Sequence, residues 1–390
     1  MLPDGHEAAP AVPEPSRKPG KRVEVRLKRV LGGLLRRVLR ARDGGSLDDV
    51  HEVRRVLLVR PNFRIGNTLL ATPVIAALHR RFPDASIDVL VGDTTAALLE
   101  QLPVDRVHTV SRGFIARPWR FVALFRELRR QRYDVAVDGG MSSFSGGLYA
   151  YLTGARHRVG HQGAGDPFLT VRLPVPARTG HVCDRFAAFA RQLGEPSADR
   201  PLYVVSAHEA RLAEARLAET AVAEQARRGG FVALFVGGHL DKRWPVERWL
   251  ALVDGLRARG CPLLVFVGPE ERALAPRFAE HVPGAVIPPG ALRAFAALLA
   301  RATLVVTPDS GALHLAVALG RPTLALLQLE RSLRFRPRGP DDVVLLRPEV
   351  GDVLAALRTH RTWPALAGEP ARPERVAQPG VIGSSELRSE

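Results

Sequence analysis

From Val53 onward the chain alternates two hydrophobic rhythms. RRVLLVR, SIDVLVG, DRVHTV and YDVAVDGG are short strand candidates, and the spacing between them predicts helices over 67–81, 93–101 and 118–132. That alternation predicts a parallel, doubly wound α/β sheet with helices on both faces. After the polar stretch EPSADRPLY and a long helical segment at about 207–228, the rhythm restarts with FVALFVGG, PLLVFVG, AVIP, TLVVTPDS and PTLALLQ. The expectation is two Rossmann-like domains, N-terminal over 51–200 and C-terminal over 201–365, with the break near 195–230. Open sheets of this kind bind ligands outside the carboxyl ends of their strands, so a shared cleft is expected there, with its chemistry in the strand-to-helix loops.

The ends of the chain follow different patterns. Residues 1–20 and 366–390 are rich in proline and polar groups and read as disordered tails. Segment 21–50 opens with KRVEVRLKRVLGGLLRRVLRAR, where Leu27, Val30, Leu31, Leu34, Leu35 and Val38 recur at helical spacing opposite Arg26, Arg29, Arg36, Arg37 and Arg40. A basic amphipathic helix over 21–42 fits an anchor on anionic lipid, and equally a helix packed on the protein's own body. Gly32 and Gly33 each cost a helix interior about 1 kcal/mol, which favours a helix formed on contact.

Composition narrows the partners. The formal charge of +16 is carried by arginine, since Lys18, Lys21, Lys28 and Lys242 are the only lysines. Such a bias reads as compositional background, and no aromatic-interleaved basic motif accompanies it, so no nucleic-acid partner is expected. Cys183 and Cys261 sit in apolar segments and read as buried thiols of a reducing compartment. No signal-peptide pattern and no bilayer-length apolar run is found, so the expected location is cytoplasmic, peripheral on the inner face of the cytoplasmic membrane if 21–42 is an anchor.

Candidate chemistry concentrates in the loops. PNFRIGNTLLATP, residues 61–73, contains both asparagines of the chain, Asn62 and Asn67. The loop leaves a strand, turns through Gly66 and opens a helix, so the side chain that follows the glycine is expected to face a ligand. In TPDSGALHLAVALG, Asp309, Ser310 and Gly311 lie between strand and helix, with His314 one turn on. A pyrophosphate there would meet free backbone N–H groups, the positive end of the helix dipole and a hydroxyl; the plainer alternative is a helix cap with an interior histidine. In GGHLDKRWPVERW, Lys242 is the one lysine after residue 28, a compact ammonium suited to a leaving phosphate, or else a solvated surface charge. FVGPEERALA places Glu270 and Glu271 beyond a strand end, either as ribose partners or as ordinary helix-start acids.

In that order and spacing, RIGNTLLATPVIAALHRRFPDASIDVLVG, YDVAVDGG, GHVCDRFAAFARQLG, DKRWPVERW, FVGPEERA and TPDSGALHLAVALGRPTLAL resemble the bacterial lipopolysaccharide heptosyltransferases, glycosyltransferase family nine, over about residues 53–350. The resemblance implies a GT-B fold and inverting, metal-independent transfer of a heptose-like sugar. The implied donor is a nucleotide-diphosphate sugar of the ADP-heptose type, and the acceptor a hydroxyl of a lipopolysaccharide-like glycan. It implies Lys242 at the donor phosphates, Glu270 or Glu271 at the nucleoside, and Asp309, Ser310, Gly311 and His314 at the pyrophosphate and sugar. Arg64, Gly66 and Thr68 fall on the acceptor side, and no cofactor is implied.

The sequence departs from the family pattern in two places, one of them the loop FVGGHLDKRW after the first strand of the second half, which is poorer in small polar residues than is usual in the family. Where the family has aspartate after arginine-x-glycine, this chain has Asn67, and an amide cannot act as a general base. Asn67 is therefore expected to orient the acceptor hydroxyl, with Asp138 or Asp93 as substitute bases or, alternatively, as caps. The expected function is a glycosyltransferase. A catalytically inactive sugar-nucleotide-binding scaffold is the alternative, and an epimerase or phosphorylase of the same fold a weaker one.

Overall fold

A computed structural model of the chain describes residues 45–115, 117–141, 143–176, 180–194, 200–228, 230–367 and 381–383. The helix expected over 21–42 and the tail over 1–20 lie outside these residues. Of the tail expected over 366–390, the end of the helix Trp363–Ala367 and the strand Val381–Gly383 are described.

The first sheet contains β1 (Arg55–Arg60), β2 (Ser86–Gly92), β3 (Arg106–Val110), β4 (Val135–Asp138), β5 (His157–His161) and β6 (Val171–Leu173). All its pairs are parallel, in the order β3-β2-β1-β4-β5-β6. Successive residues of β1 feed opposite layers: Val56 and Leu58 pack with Ile75 and Phe189, whereas Leu57 and Val59 pack with Phe125 and Tyr149. Helices cover both faces, which is why β1 reads as an unbroken apolar run.

The second sheet repeats the plan. It holds β7 (Val232–Phe235), β8 (Leu263–Phe266), β9 (Val286–Ile287), β10 (Leu304–Pro308), β11 (Thr323–Leu327), β12 (Val343–Leu346) and β13 (Val381–Gly383), in the order β13-β12-β11-β10-β7-β8-β9. In each sheet the chain goes out to one edge from a central strand and then returns to that strand's other side. The order therefore reverses between β1 and β4 and again between β7 and β10, and those two crevices are where this fold takes ligands.

Several expected helices are interrupted for identifiable reasons. The helix expected over 67–81 is two, Ile65–Leu69 and Thr72–Arg81, because Pro73 has no N–H for the carbonyl of Leu69 and instead starts a new helix. Over 93–101 there is a 3-10 turn, Asp93–Leu99, whose Thr94 and Thr95 hydroxyls bind the carbonyls of Phe63 and Asn62. The long segment at 207–228 is divided into Ala207–Ala218 and Ala223–Arg228, with the Ala221 N–H donating to the carbonyl of Gly284. Pro118–Arg130 forms as expected.

The domains meet along the carboxyl edges of their sheets. Ile65–Leu69, directly after β1, packs on Gly311–Ala318, directly after β10, and both helices present a glycine to the contact. A Cβ at Gly66 would overlap the His314 ring, and one at Gly311 would stand 3.0 Å from Ile65 Cδ1. On one side of this contact the loop after β11 ties to the helix Val182–Gln192. Arg338 forks onto Asp184 with both distances 2.7 Å, and His181 Nε2 lies 2.7 Å from the carbonyl of Arg336. On the other, the buried Arg293 joins both domains and the segment between them. Its Nη1 donates to the Ala97 carbonyl at 2.9 Å and its Nη2 to the Val204 carbonyl at 3.1 Å, while the guanidinium pairs with Glu209 and covers the Tyr203 ring.

Candidate active site

Four loops converge at the two crevices, and they carry most of the residues singled out by sequence. At the second crevice, the loop after β7 delivers Lys242 and the loop after β10 delivers Asp309. Lys242 Nζ lies 2.6 Å from Asp309 Oδ2, with the lysine side chain 26% exposed and the aspartate 5%. Ser332, from the loop after β11, donates its hydroxyl to the same oxygen. Asp309 is thus held from inside by Ser332, and Lys242 covers it toward the cleft. Ser310 caps the helix Gly311–Ala318 by accepting the Ala312 N–H at 3.2 Å, and its Oγ lies 3.1 Å from Thr307 Oγ1. The helix start, a hydroxyl and one ammonium therefore stand together, the arrangement that suits a phosphate.

His314 follows one turn into that helix, with its ring perpendicular to that of Phe335 at 5.9 Å and its Cδ2 atom nearest Gly66. Burial pushes its pKa down to about 4; Asp309 opposes that shift and Lys242 adds to it, so the ring is neutral near pH 7. A neutral imidazole here offers hydrogen bonds without a charge.

The two glutamates have separate positions. Glu271 is 6% exposed, accepts the Gly238 N–H at 3.3 Å and pairs with Arg243 Nη2 at 2.7 Å. It braces the loop after β7 from beneath. Glu270, 65% exposed and 3.1 Å from the same Arg243 nitrogen, is the one that faces outward. Arg243 and Ser332 were not singled out by sequence. Ser332 lies in the 3-10 turn Glu330–Phe335 after β11, which has no glycine to mark a ligand-facing loop, whereas Arg243 sits beside Lys242 but is one of many arginines.

At the first crevice the loop after β1 is tightly held. Arg64 is exposed, and its N–H donates to Asn62 Oδ1 at 2.9 Å. Arg60 donates from Nε and Nη2 to the Asn67 carbonyl at 3.2 and 3.1 Å. Thr68, expected on the acceptor side, is instead 1% exposed and spends its hydroxyl on Thr95 Oγ1 at 3.2 Å, because it falls on the inner side of its helix turn.

Asp138 lies at the expected edge, but it is sealed. Its side chain is wholly buried behind Gly146, Oδ1 accepts the Gly140 N–H at 2.7 Å, and Oδ2 has no partner. Burial raises its pKa to about 6, against the pull of the Gly140 N–H, Arg60 and Ser143. A carboxyl with no solvent path does not suit a base that must touch an acceptor. Asp93, by contrast, is exposed at the end of β2, with Oδ1 2.8 Å from the Thr94 N–H.

A stability prediction follows for Asp138. Because its folded pKa is raised, the carboxyl weakens the fold as pH rises from 3.8, its ordinary value, through about 6. Asp138→Asn keeps an acceptor for Gly140 and removes the titration, so its melting temperature should gain on wild type from pH 4 to pH 7. Thermal melts at both pH values check this, and an unchanged difference would contradict it.

Among the described residues, no three or more His, Cys, Asp or Glu side chains are grouped to hold a metal ion.

The sequence profile of glycosyltransferase family 9 (heptosyltransferase) matches residues 121–352. Lipopolysaccharide heptosyltransferase 1 of Escherichia coli K12 is 27% identical over 291 residues, covering 70% of this chain and 87% of that protein. The lipopolysaccharide core heptosyltransferase OpsX of Haemophilus influenzae is 21% identical over 297 residues, covering 73% and 82%. Among solved structures, the E. coli ADP-heptose lps heptosyltransferase II superposes with a TM-score of 0.63 at 22% identity, covering 77% of this chain and 97% of that one. E. coli heptosyltransferase WaaC with ADP-2-deoxy-2-fluoro heptose gives 0.60 at 22% identity, covering 78% and 98%. At such identities the structural likeness speaks for the fold, which is GT-B.

Proposed function

The chain belongs to glycosyltransferase family 9, the heptosyltransferases, and from that premise we propose that this glycosyltransferase moves a heptose-like sugar from an ADP-linked donor to a hydroxyl of a lipopolysaccharide-type acceptor, with inversion. The observation that carries the donor half is the pairing of Lys242 with Asp309 at the start of the helix Gly311–Ala318. As the acceptor oxygen bonds to the anomeric carbon, the bond from that carbon to the diphosphate breaks and its electron pair stays on the phosphate. Lys242 and the helix start stabilise the charge that develops there, with no metal needed in this scheme. His314 and Ser310 bind sugar and phosphate oxygens, and Glu270, exposed and paired only at the surface with Arg243, is the acid proposed to meet the nucleoside.

On the acceptor side Asn67 orients the hydroxyl and does not take its proton. Asp93, exposed at the same carboxyl edge of the sheet, is the carboxylate proposed to receive it. No observation favours the inactive scaffold. The nucleotide is tested by thermal shift with ADP, GDP and UDP, each with and without its sugar. The reading expects the largest shift with the adenine series, and a larger shift with GDP or UDP would overturn it.

Residues 21–42 are proposed to hold the enzyme at an anionic bilayer; among the described residues no helix is long and apolar enough to cross one. Deleting them should abolish salt-sensitive vesicle binding while sparing turnover on a soluble acceptor. Equal binding by the truncated protein would remove the anchor from the account.

A further inference from the structure

The position of both asparagines in one loop has an atomic explanation. Asn62 is fixed through its backbone on both sides: its N–H donates to the Arg60 carbonyl at 2.6 Å, and its own carbonyl accepts the Gly92 N–H at 3.2 Å and the Thr95 hydroxyl at 3.0 Å. Its side chain then faces the Arg64 N–H at 2.9 Å. A backbone N–H can only donate, so the Asn62 atom that meets it is the oxygen. That same oxygen lies 3.3 Å from the side chain of Asn67. An oxygen already fixed as acceptor needs a donor opposite, so Asn67 must present its NH2 group to Asn62. With Nδ2 committed, and the Asn67 backbone carbonyl clamped by two nitrogens of Arg60, the side-chain orientation is determined. The atom left over is Asn67 Oδ1.

We propose that Asn62 is a positioning residue of the transfer reaction: it turns the Asn67 amide so that its carbonyl oxygen, and not its NH2, is offered to the acceptor hydroxyl. The inference rests on the transferase reading given above and deepens it. It means that residues 62 and 67 form a matched pair, because a carboxylate at 67 would place a second acceptor against Asn62 Oδ1, with no proton between them. Asn62 cannot turn to relieve this without setting its NH2 against the Arg64 N–H. The loop is thus built for an amide at position 67.

The pair makes distinguishable demands on its variants. Asn62→Asp keeps an oxygen for both donors and should hold kcat/KM for the acceptor within about threefold of wild type, whereas Asn62→Ala should lower it about 10- to 100-fold, with ADP affinity unchanged. In an Asn67→Ala background, Asn62→Ala should add almost nothing, since the group it positions is gone. Asn67→Asp alone should lower turnover. Additive losses, an Asn62→Asp variant as damaged as Asn62→Ala, or a gain in turnover from Asn67→Asp would each overturn the proposal.

A second measurement needs no turnover, and so separates this proposal from the transferase reading. With only two asparagines in the chain, selective 15N-asparagine labelling of the full-length protein gives two side-chain amide pairs, and the pair lost in Asn67→Ala belongs to Asn67. That pair should exchange with water slowly in wild type and Asn62→Asp and become fast in Asn62→Ala. Exchange at Asn67 that is indifferent to Asn62→Ala refutes the positioning role even if transfer is observed, and protection lost as stated supports it even if no acceptor has been found.

Discussion

Alanine at position 242 is expected to slow sugar transfer by about 10- to 100-fold. One charge-assisted contact to a phosphate oxygen is worth about 1.5–3 kcal/mol, and the leaving diphosphate carries more charge in the transition state than in the bound donor, so the loss should fall mainly on kcat. Lys242 is suited to this because its ammonium is held by a single carboxylate while a quarter of its side chain is exposed. A donor phosphate can then take one of its three N–H donors without dismantling the pair. Lys242→Arg should recover only part of the rate, since a planar fork does not replace a point charge at the same depth. The check is kcat with saturating donor together with the ADP dissociation constant for each variant. Unchanged values in Lys242→Ala would take the phosphates away from this loop.

Arg293→Ala is expected to lower the stability of the fold by about 3–5 kcal/mol, the usual cost of breaking a buried pair from one side. The Arg293 side chain is 10% exposed, whereas that of Glu209 is 18% exposed and keeps the Ser206 N–H and hydroxyl as donors, so the loss should lie at the lower end of that range. The effect should depend on pH in a definite direction. The hydrogen bonds from Arg293 and, less strongly, from Ser206 hold the Glu209 pKa down to about 2, from an ordinary 4.5. An acid with a lowered folded pKa contributes stability fully above its unfolded value and loses it as pH falls through the folded one. Wild type should therefore lose this stabilisation between about pH 4.5 and 2, and Arg293→Ala should lose much less over the same window. Denaturant melts across that range check both points. Because Arg293 also reaches the carbonyls of Ala97 and Val204, its removal should loosen the two domains against each other as well.

The parts of this architecture that were legible in sequence are those where burial is two-sided. β1, β2, β7, β8, β10 and β11 are covered on both faces and read as apolar runs. β5 did not, because HRVGH offers one large apolar residue, and β6 spans three residues at the edge of its sheet. The site shows the same division at the level of side chains. Lys242 and the asparagine pair stood out by rarity, and Asp309 and Ser310 by their place between strand and helix. Sequence position identifies the edge of the sheet but not the side of the loop on which a group lies. Thr68, Asp138 and Glu271 all occupy the right edge and all point inward, one to Thr95, one behind Gly146 and one beneath Gly238. Ser332 was beyond reach because its role comes from the return of a later loop to Asp309, a contact that no local pattern encodes.

The central claim is that the two crevices act together on a donor and an acceptor. The measurement that tests it most directly is ADP release by the purified full-length protein from ADP-heptose, with and without a lipopolysaccharide-type acceptor. The account predicts release that requires the acceptor, matches the heptose found on it mole for mole, and falls about 10- to 100-fold in Lys242→Ala. ADP release at the same rate without acceptor, or with no heptose transferred, would contradict it.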